Sequence, residues 1–305
     1  MEYARLFTDD HSMNIFINGQ PADITLESER TIGELLSGVE DWLRRSGFRL
    51  HGLEIDGESI NSASVSDVFN RELNGIQSIN ILACSQTELM ADALMESKGY
   101  VEAFSAAPYQ GKSEIQENWK NSAAHSFLQA ENQELYRILD GYLNQEPNPG
   151  EDATGIAALN NGIVSLVNER IREIEDPQGE FVRSEAIVLE ITKRLEELPL
   201  DIQIGKDGRA AETISLFSTI TDKLLRLIYL LQSQSEDGIK SIVIDSIPVY
   251  HFLEEFCTAL KELLAAYESR DVVLVGDLAE YELAPRLRSF YSAIKSSILS
   301  FAEKI

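Results

Sequence analysis

His251 and Glu254 stand three residues apart in a stretch whose apolar pattern predicts a helix. That spacing sets an imidazole and a carboxylate on one face, where they could share a metal ion, with Glu255 alongside. His125, on another long helical stretch, is a further imidazole that could converge on them. A carboxylate-bridged dimetal bundle needs Glu-x-x-His from each of two helices and two further Glu residues. This chain offers one pair in the reverse order, so a surface or structural histidine is the simpler account and no cofactor is expected.

Two further groups of residues invite a functional explanation. Gly205-Lys-Asp-Gly-Arg209 precedes a long helix whose free N–H groups could hold an anion beside Lys206 and Arg209. The P-loop spacing is absent, and Asp207 acting as a helix N-cap explains the same residues. Asp271, Asp277, Glu280 and Glu282 alternate with Val272, Val273, Leu274, Val275, Leu278 and Tyr281. This is the densest acidic and apolar mixture in the chain: a docking ridge for a basic amphipathic partner, or a helix with one solvated face. The solvated face is the plainer expectation. There is no Gly-x-Ser-x-Gly nucleophile elbow, and the four histidines, His11, His51, His125 and His251, are dispersed.

Composition narrows the classes of partner. The 305 residues carry 26 Lys and Arg against 51 Asp and Glu, a net charge of −25. Such a surface repels phosphate backbones and anionic membranes, so neither nucleic acid nor membrane is an expected partner, whereas basic proteins are attracted. Cys84 and Cys257 have no Cys or His at ligand spacing, which argues against a disulfide framework or a zinc site. The acidic first residues do not resemble a signal peptide and no long uncharged apolar run occurs, so the expected location is the cytoplasm.

The elements that must position these residues follow from periodicity. Ile214, Phe217, Ile220, Leu224, Leu225, Leu227, Ile228 and Leu231 recur at three- and four-residue spacing over residues 210–232. A helix apolar around more than half its circumference needs neighbours on several sides, and here it predicts the centre of a bundle. Polar residues such as Lys223 and Arg226 hold a narrow sector of it. Helices are also predicted over 86–106, 113–144 with a Ser113/Gln116 capping box, 156–175, 181–198, 249–268 and 285–302. Residues 145–152 and 199–208 read as loops, and 242–245 as a brief strand or loop end. Residues 272–275 read as helix in preference to strand.

The first 85 residues have a different pattern. Alternation over 13–17 runs into Asn18-Gly19 and resumes over 22–26, a hairpin. Thr31 and Glu34 form a capping box ahead of Ile32, Leu35, Leu36, Val39 and Leu43, which share one helical face until Gly47. Strands follow at Leu53 and Ile55 before Asp56-Gly57, and at Ile79 and Ile81. The motifs Met13-Asn-Ile-Phe-Ile, Asp23-Ile-Thr-Leu-Glu27, Thr31-Ile32, the 53–57 strand and turn, Ser64-Val-Ser-Asp67 and Ser78-Ile-Asn-Ile-Leu82 are collinear with those of ubiquitin. Residues 13–83 thus resemble a ubiquitin-like β-grasp module. The departures bear on function. Cys84-Ser85-Gln86-Thr87 replaces the family's diglycine tail, and Glu54 occupies the position of the exposed apolar residue on its third strand. No lysine precedes Lys98. The resemblance therefore implies a docking domain that is not conjugated.

The expected architecture is α+β: a β-grasp domain over 1–85 and an all-helical bundle of six or seven helices over 86–305. The expected function is a non-enzymatic adaptor, scaffold or chaperone-like module that holds a basic or amphipathic protein, with self-association as a further expectation. A metal- or small-molecule-binding enzyme or sensor built on His251 and Glu254 is the alternative. Mimicry of nucleic-acid charge ranks third.

Overall fold

A computed structural model describes residues 13–24, 26, 28–60, 68–145, 153–234 and 242–302. The chain is mixed α+β, a small N-terminal sheet followed by helices. Residues 1–12, 64–67 and 146–152, on which some of the sequence expectations fall, lie outside the described residues.

The sheet comprises β1 (Asn14–Ile17), β2 (Gln20–Pro21), β3 (Phe48–Ile55), β4 (Glu58–Ile60) and β5 (Ser78–Ser85), in the order β2-β1-β5-β3-β4. β1 and β5 are parallel, with Ile15 beside Ile79, and the other pairs are antiparallel. Asn18-Gly19 (φ 50° and 75°) and Asp56-Gly57 (φ 52° and 85°) put two consecutive residues in the left-handed region. This is the turn whose twist matches that of the flanking strands. The second strand begins earlier than the 22–26 alternation predicts, because the two-residue turn pairs Gln20 with Ile17 at once. Across one face lies α1 (Ile32–Arg45), opened by the reciprocal Thr31 and Glu34 cap. Its buried Leu35, Leu36, Val39 and Leu43 meet Ile55, Ile79 and Ile81 of the sheet in one core.

Ser85 ends β5 and also caps α2 (Gln86–Ala106), so no linker separates sheet from helix. The backbone N–H of Ser85 donates to Glu88 and holds its carboxyl below the usual range. The single helix expected over 113–144 is three: α3 (Lys112–Lys120), α4 (Ala123–Glu131) and α5 (Gln133–Leu143). Ser122 and Asn132 leave the helical conformation and accept from the N–H groups of His125 and Leu135, so each starts a new helix. The Ser113/Gln116 box is not used: α3 starts at Lys112 after a 3₁₀ turn, Tyr109–Gly111, with no side-chain cap.

The remaining helices are α6 (Ala153–Glu175), α7 (Pro177–Arg183), α8 (Glu185–Gln203), α9 (Asp207–Gln234), α10 (Val249–Glu268), α11 (Val272–Asp277) and α12 (Ala284–Ala302). A π-helical segment, Leu278–Leu283, joins the last two. Eleven α-helices therefore follow residue 85 among the described residues, where six or seven were expected. Ser122 and Asn132 divide the expected 113–144 helix, and Ser184 separates α7 from α8 where one helix was expected over 181–198. α8 continues through Pro199, which removes one backbone donor and was expected to end it. Residues 242–245 contribute to a two-strand hairpin, β6 (Val243–Ile244) and β7 (Ile247–Pro248), turned at Asp245 and Ser246.

The chain divides into two compact units, Met1–Val164 and Ser165–Ile305, with the division inside α6. The helices after residue 85 are thus shared between the sheet-containing unit and a second, helical one. In the second unit α9 is the central helix: Phe217, Leu224, Leu227 and Ile228 are buried in a core with Phe252 and Phe256 of α10 and Phe290 of α12. Tyr291 stacks on Phe181 and donates its hydroxyl to the Phe181 carbonyl at 3.0 Å. Burial pushes its phenol up to about 12.

Candidate functional site

The acidic and apolar mixture of residues 271–282 forms a ridge in the second unit. Asp271 caps α11, its Oδ1 accepting from the Leu274 N–H at 3.1 Å. The short helix turns Val275 and Gly276 inward and leaves Val272, Val273 and Leu274 exposed at 53%, 69% and 44%. Gly276 permits the close approach: a Cβ there would lie 3.1 Å from the Pro199 side chain of α8. In the π-helical segment Leu278, Ala279 and Leu283 are buried while Tyr281 is 66% exposed. Leu274, Leu278, Tyr281 and Pro285, whose helical spacing favours helix over strand here, do not share a buried face: of the four only Leu278 is buried, and the turn widens to a π-helix from Leu278.

Beside the ridge is a groove of about 630 Å³, lined by Ile202, Ala210 and Val275 and by the more exposed Tyr267, Arg270 and Val272. Leu200, in the last turn of α8, and Ile204, which caps its C-terminus, are exposed on either side of Ile202 in the sequence. Contiguous exposed apolar surface with a polar rim is characteristic of docking sites. Burying one such side chain completely contributes about 1.5–3 kcal/mol.

The four carboxylates predicted for partner binding differ in their engagements. Asp271 serves as the cap, and Glu282 pairs with Arg286 at 3.0 Å, which also holds Glu255 of α10 at 2.9 Å. Among the described residues no Lys or Arg lies within ion-pair distance of Asp277 or Glu280. The Glu280 charge, with a hydrogen bond, pushes the Tyr281 phenol up. The ridge thus offers unneutralised negative charge beside apolar side chains.

His251 is exposed on α10, with its ring nitrogens 3.5 Å from Glu254 and 3.5 Å from Glu255 of the same helix. Among the described residues no three His, Cys, Asp or Glu side chains are grouped so that they could hold a metal ion. His125 belongs to the other unit. Its ring lies edge-on to Trp119 and Tyr136, with Nε2 3.7 Å from Asp140, and Asp140 also accepts from the Trp119 indole at 3.2 Å. The cations of the 205–209 loop are engaged: Arg209 pairs with Glu197 at 2.7 Å and Asp201 at 3.1 Å, and Lys206 lies 3.9 Å from Asp201. Asp207 is the first residue of α9 instead of its cap, with the Arg209 and Ala210 N–H groups bonding to the Lys206 carbonyl.

Sequence reasoning missed an ion-pair seam. Lys223 and Arg226, the narrow polar sector of the central helix, face the buried carboxylates of Glu180 and Glu173. Lys223 holds Glu169 at 2.7 Å and Glu180 at 3.1 Å, and Arg226 holds Glu173 at 3.1 Å. Arg170 also reaches Glu173, and Arg172 and Arg183 reach Glu180. Burial pushes the Glu173 carboxyl up to about 7 against the pull of Arg170. At Glu180 burial is outweighed by Lys223 and Arg183, which hold the carboxyl low. Each carboxylate of the seam faces a cation, so the seam binds helices together and leaves no open site.

Residues 13–85 match the family model described as the TP0873 N-terminal domain, and residues 183–293 match one described as a domain of unknown function (DUF8042). The first match ends at Ser85, where β5 gives way to α2, and the second includes the whole ridge. An uncharacterized protein of Treponema pallidum (strain Nichols) is 32% identical over 103 residues, which cover 34% of this chain and 50% of that relative. The chain thus spans about half the length of the curated relative it matches. No solved structure matches. Among the described residues no helix is long and apolar enough to cross a membrane.

Proposed function

We propose that the protein is a non-enzymatic interaction module whose second unit holds a basic, amphipathic protein partner on the 271–282 ridge. The observation that carries this reading is the exposure of Val272, Val273 and Leu274 beside a 630 Å³ groove and the unneutralised Asp277 and Glu280. A helix with one solvated face would show polar side chains there. A second copy of this chain would bring like charge to the ridge, which disfavours it as the occupant. The N-terminal module is a ubiquitin-like β-grasp that docks without being conjugated. The sheet order, with β1 and β5 parallel and α1 across one face, supports that assignment. Glu54 accepts from Asn80 at 2.8 Å and from Ser59, so its strand offers a polar ladder where an apolar contact would be needed.

The test is photocrosslinking in native lysate, with the full chain carrying a photoreactive benzoyl-phenylalanine in place of Val273. A basic protein should crosslink at about 0.1 M salt and be lost near 1 M, where screening shortens to about 3 Å. Asp277→Lys combined with Glu280→Lys should abolish the crosslink without changing the melting temperature. A crosslink indifferent to salt and to the charge reversal would sink the proposal. So would a stoichiometric metal ion that copurifies with the chain and is lost in His251→Ala.

A further inference from the structure

The first unit carries a second surface that the ridge does not explain. Between α1 and the segment that follows β2 lies a groove of about 660 Å³. Leu35 and Val39 form its buried floor, Ile24 is half-buried beside them, and Trp42 stands over it with 55% of its surface exposed. Gly38 lies on the same side of the helix, and a Cβ at that position would meet no atom within 4 Å. A mid-helix glycine costs about 1 kcal/mol relative to alanine, and here the missing side chain keeps the groove open. Among the described residues that line it, the charged ones are the acidic Asp23 and Glu29.

From these features we infer that the groove binds a segment of a partner protein carrying aliphatic side chains and at least one lysine or arginine. The aliphatic groups cover Leu35 and Val39 and lose their contact with water. The cation meets the negative rim at Asp23 and the face of the exposed indole, which attracts positive charge through its quadrupole. The same rim opposes an acidic segment, an anionic lipid surface and a second copy of this acidic chain. The volume is that of an ordinary ligand site and accommodates a few side chains, not a whole helix face. This inference stands apart from the ridge, which lies in the other unit.

The test uses the full-length ¹⁵N-labelled chain and a short synthetic peptide of alternating leucine and lysine. The chain has two tryptophans, so two indole N–H signals report at once. Trp42 lines the groove, whereas Trp119 is buried and bonded to Asp140, an internal control. The peptide should shift the Trp42 signal in a saturable way and leave Trp119 in place. Gly38→Phe, which puts a ring into the open space, should weaken binding roughly tenfold or more while Trp119 keeps its folded position. A peptide of alternating leucine and glutamate should bind weaker by a similar factor. Asp23→Lys should narrow the preference between the two peptides, which keeps the test decisive if Gly38→Phe does not fold. Val273→Asp, on the ridge, should leave the affinity unchanged. An unmoved Trp42 signal, equal binding of the two peptides, full affinity in Gly38→Phe, or loss of binding in Val273→Asp would each overturn the inference.

Discussion

Phe290→Ala is expected to lower the unfolding free energy of the second unit by about 3–5 kcal/mol, the usual range for removing a fully buried aromatic ring. The position is 1% exposed. Its ring centroid lies 6.2 Å from Phe252 and 6.2 Å from Phe256, stacked on both, and Phe256 in turn meets Phe217 of the central helix edge-on at 6.0 Å. One ring on α12 therefore ties that helix to α10, and through Phe256 the aromatic layer reaches α9. The cost depends on how far the surroundings can close over the lost volume. Here closure is restrained, because Tyr291 next to Phe290 is fixed by its hydrogen bond to Phe181 and its stack on that ring. Phe290→Leu, which keeps most of the volume, should cost less than half as much. Urea unfolding followed by circular dichroism checks both values. Both tryptophans lie in the first unit, so the helical signal is the appropriate probe. A loss below about 1 kcal/mol for Phe290→Ala would mean that the aromatic layer is loosely packed, contrary to the ring geometry.

Most of the local structure was legible because it depends on neighbours in sequence. Thr31 with Glu34, the Asn18-Gly19 and Asp56-Gly57 turns, and the 249–268 helix after Pro248 are set by residues a few positions apart. The 113–144 run was misread for the same reason. Its apolar period is nearly continuous, and a single Ser122 or Asn132 decides the break by turning its side chain onto a backbone N–H. Pro199 was misread in the opposite sense, because packing against Gly276 lies far away in sequence. The candidate ridge was legible as composition: the acidic and apolar residues of 271–282 stand out without a structure. Which of them face water was not legible, because the inward turn of Val275 and the outward turn of Tyr281 follow from α8 and from the π segment. The seam was hidden for a related reason. Lys223 and Arg226 look solvated in a helical pattern, and only the tertiary approach of Glu173 and Glu180 makes them structural.

That seam carries the second large effect, which is specific in pH. Lys223→Ala is expected to cost on the order of 3 kcal/mol, because removing one partner of a buried pair leaves the other desolvated and unpaired. Glu180 is 6% exposed and would keep only the half-exposed Arg172 and Arg183. Lys223→Met retains the apolar stem, so the difference between the two variants isolates packing from charge. The two buried carboxylates then predict opposite slopes. Glu173 titrates at about 7 when folded, above its value in the unfolded chain. Its contribution is therefore fully present below about pH 4.5 and is lost as pH rises to about 7. Glu180 is held below its ordinary value when folded. Its contribution is present above about pH 4.5 and is lost as the pH falls through the folded value. Stability measured from pH 4 to 8 should show the advantage of the unsubstituted chain over Glu173→Gln shrinking as pH rises, and its advantage over Glu180→Gln growing. Equal slopes for the two variants would mean that Glu173 is ionised throughout, held by Arg170 and Arg226 despite its burial. The seam would then be a fully charged network in which both carboxylates gain stability as pH rises, and Glu173→Gln would weaken the helix junction by leaving two arginines without a counter-charge.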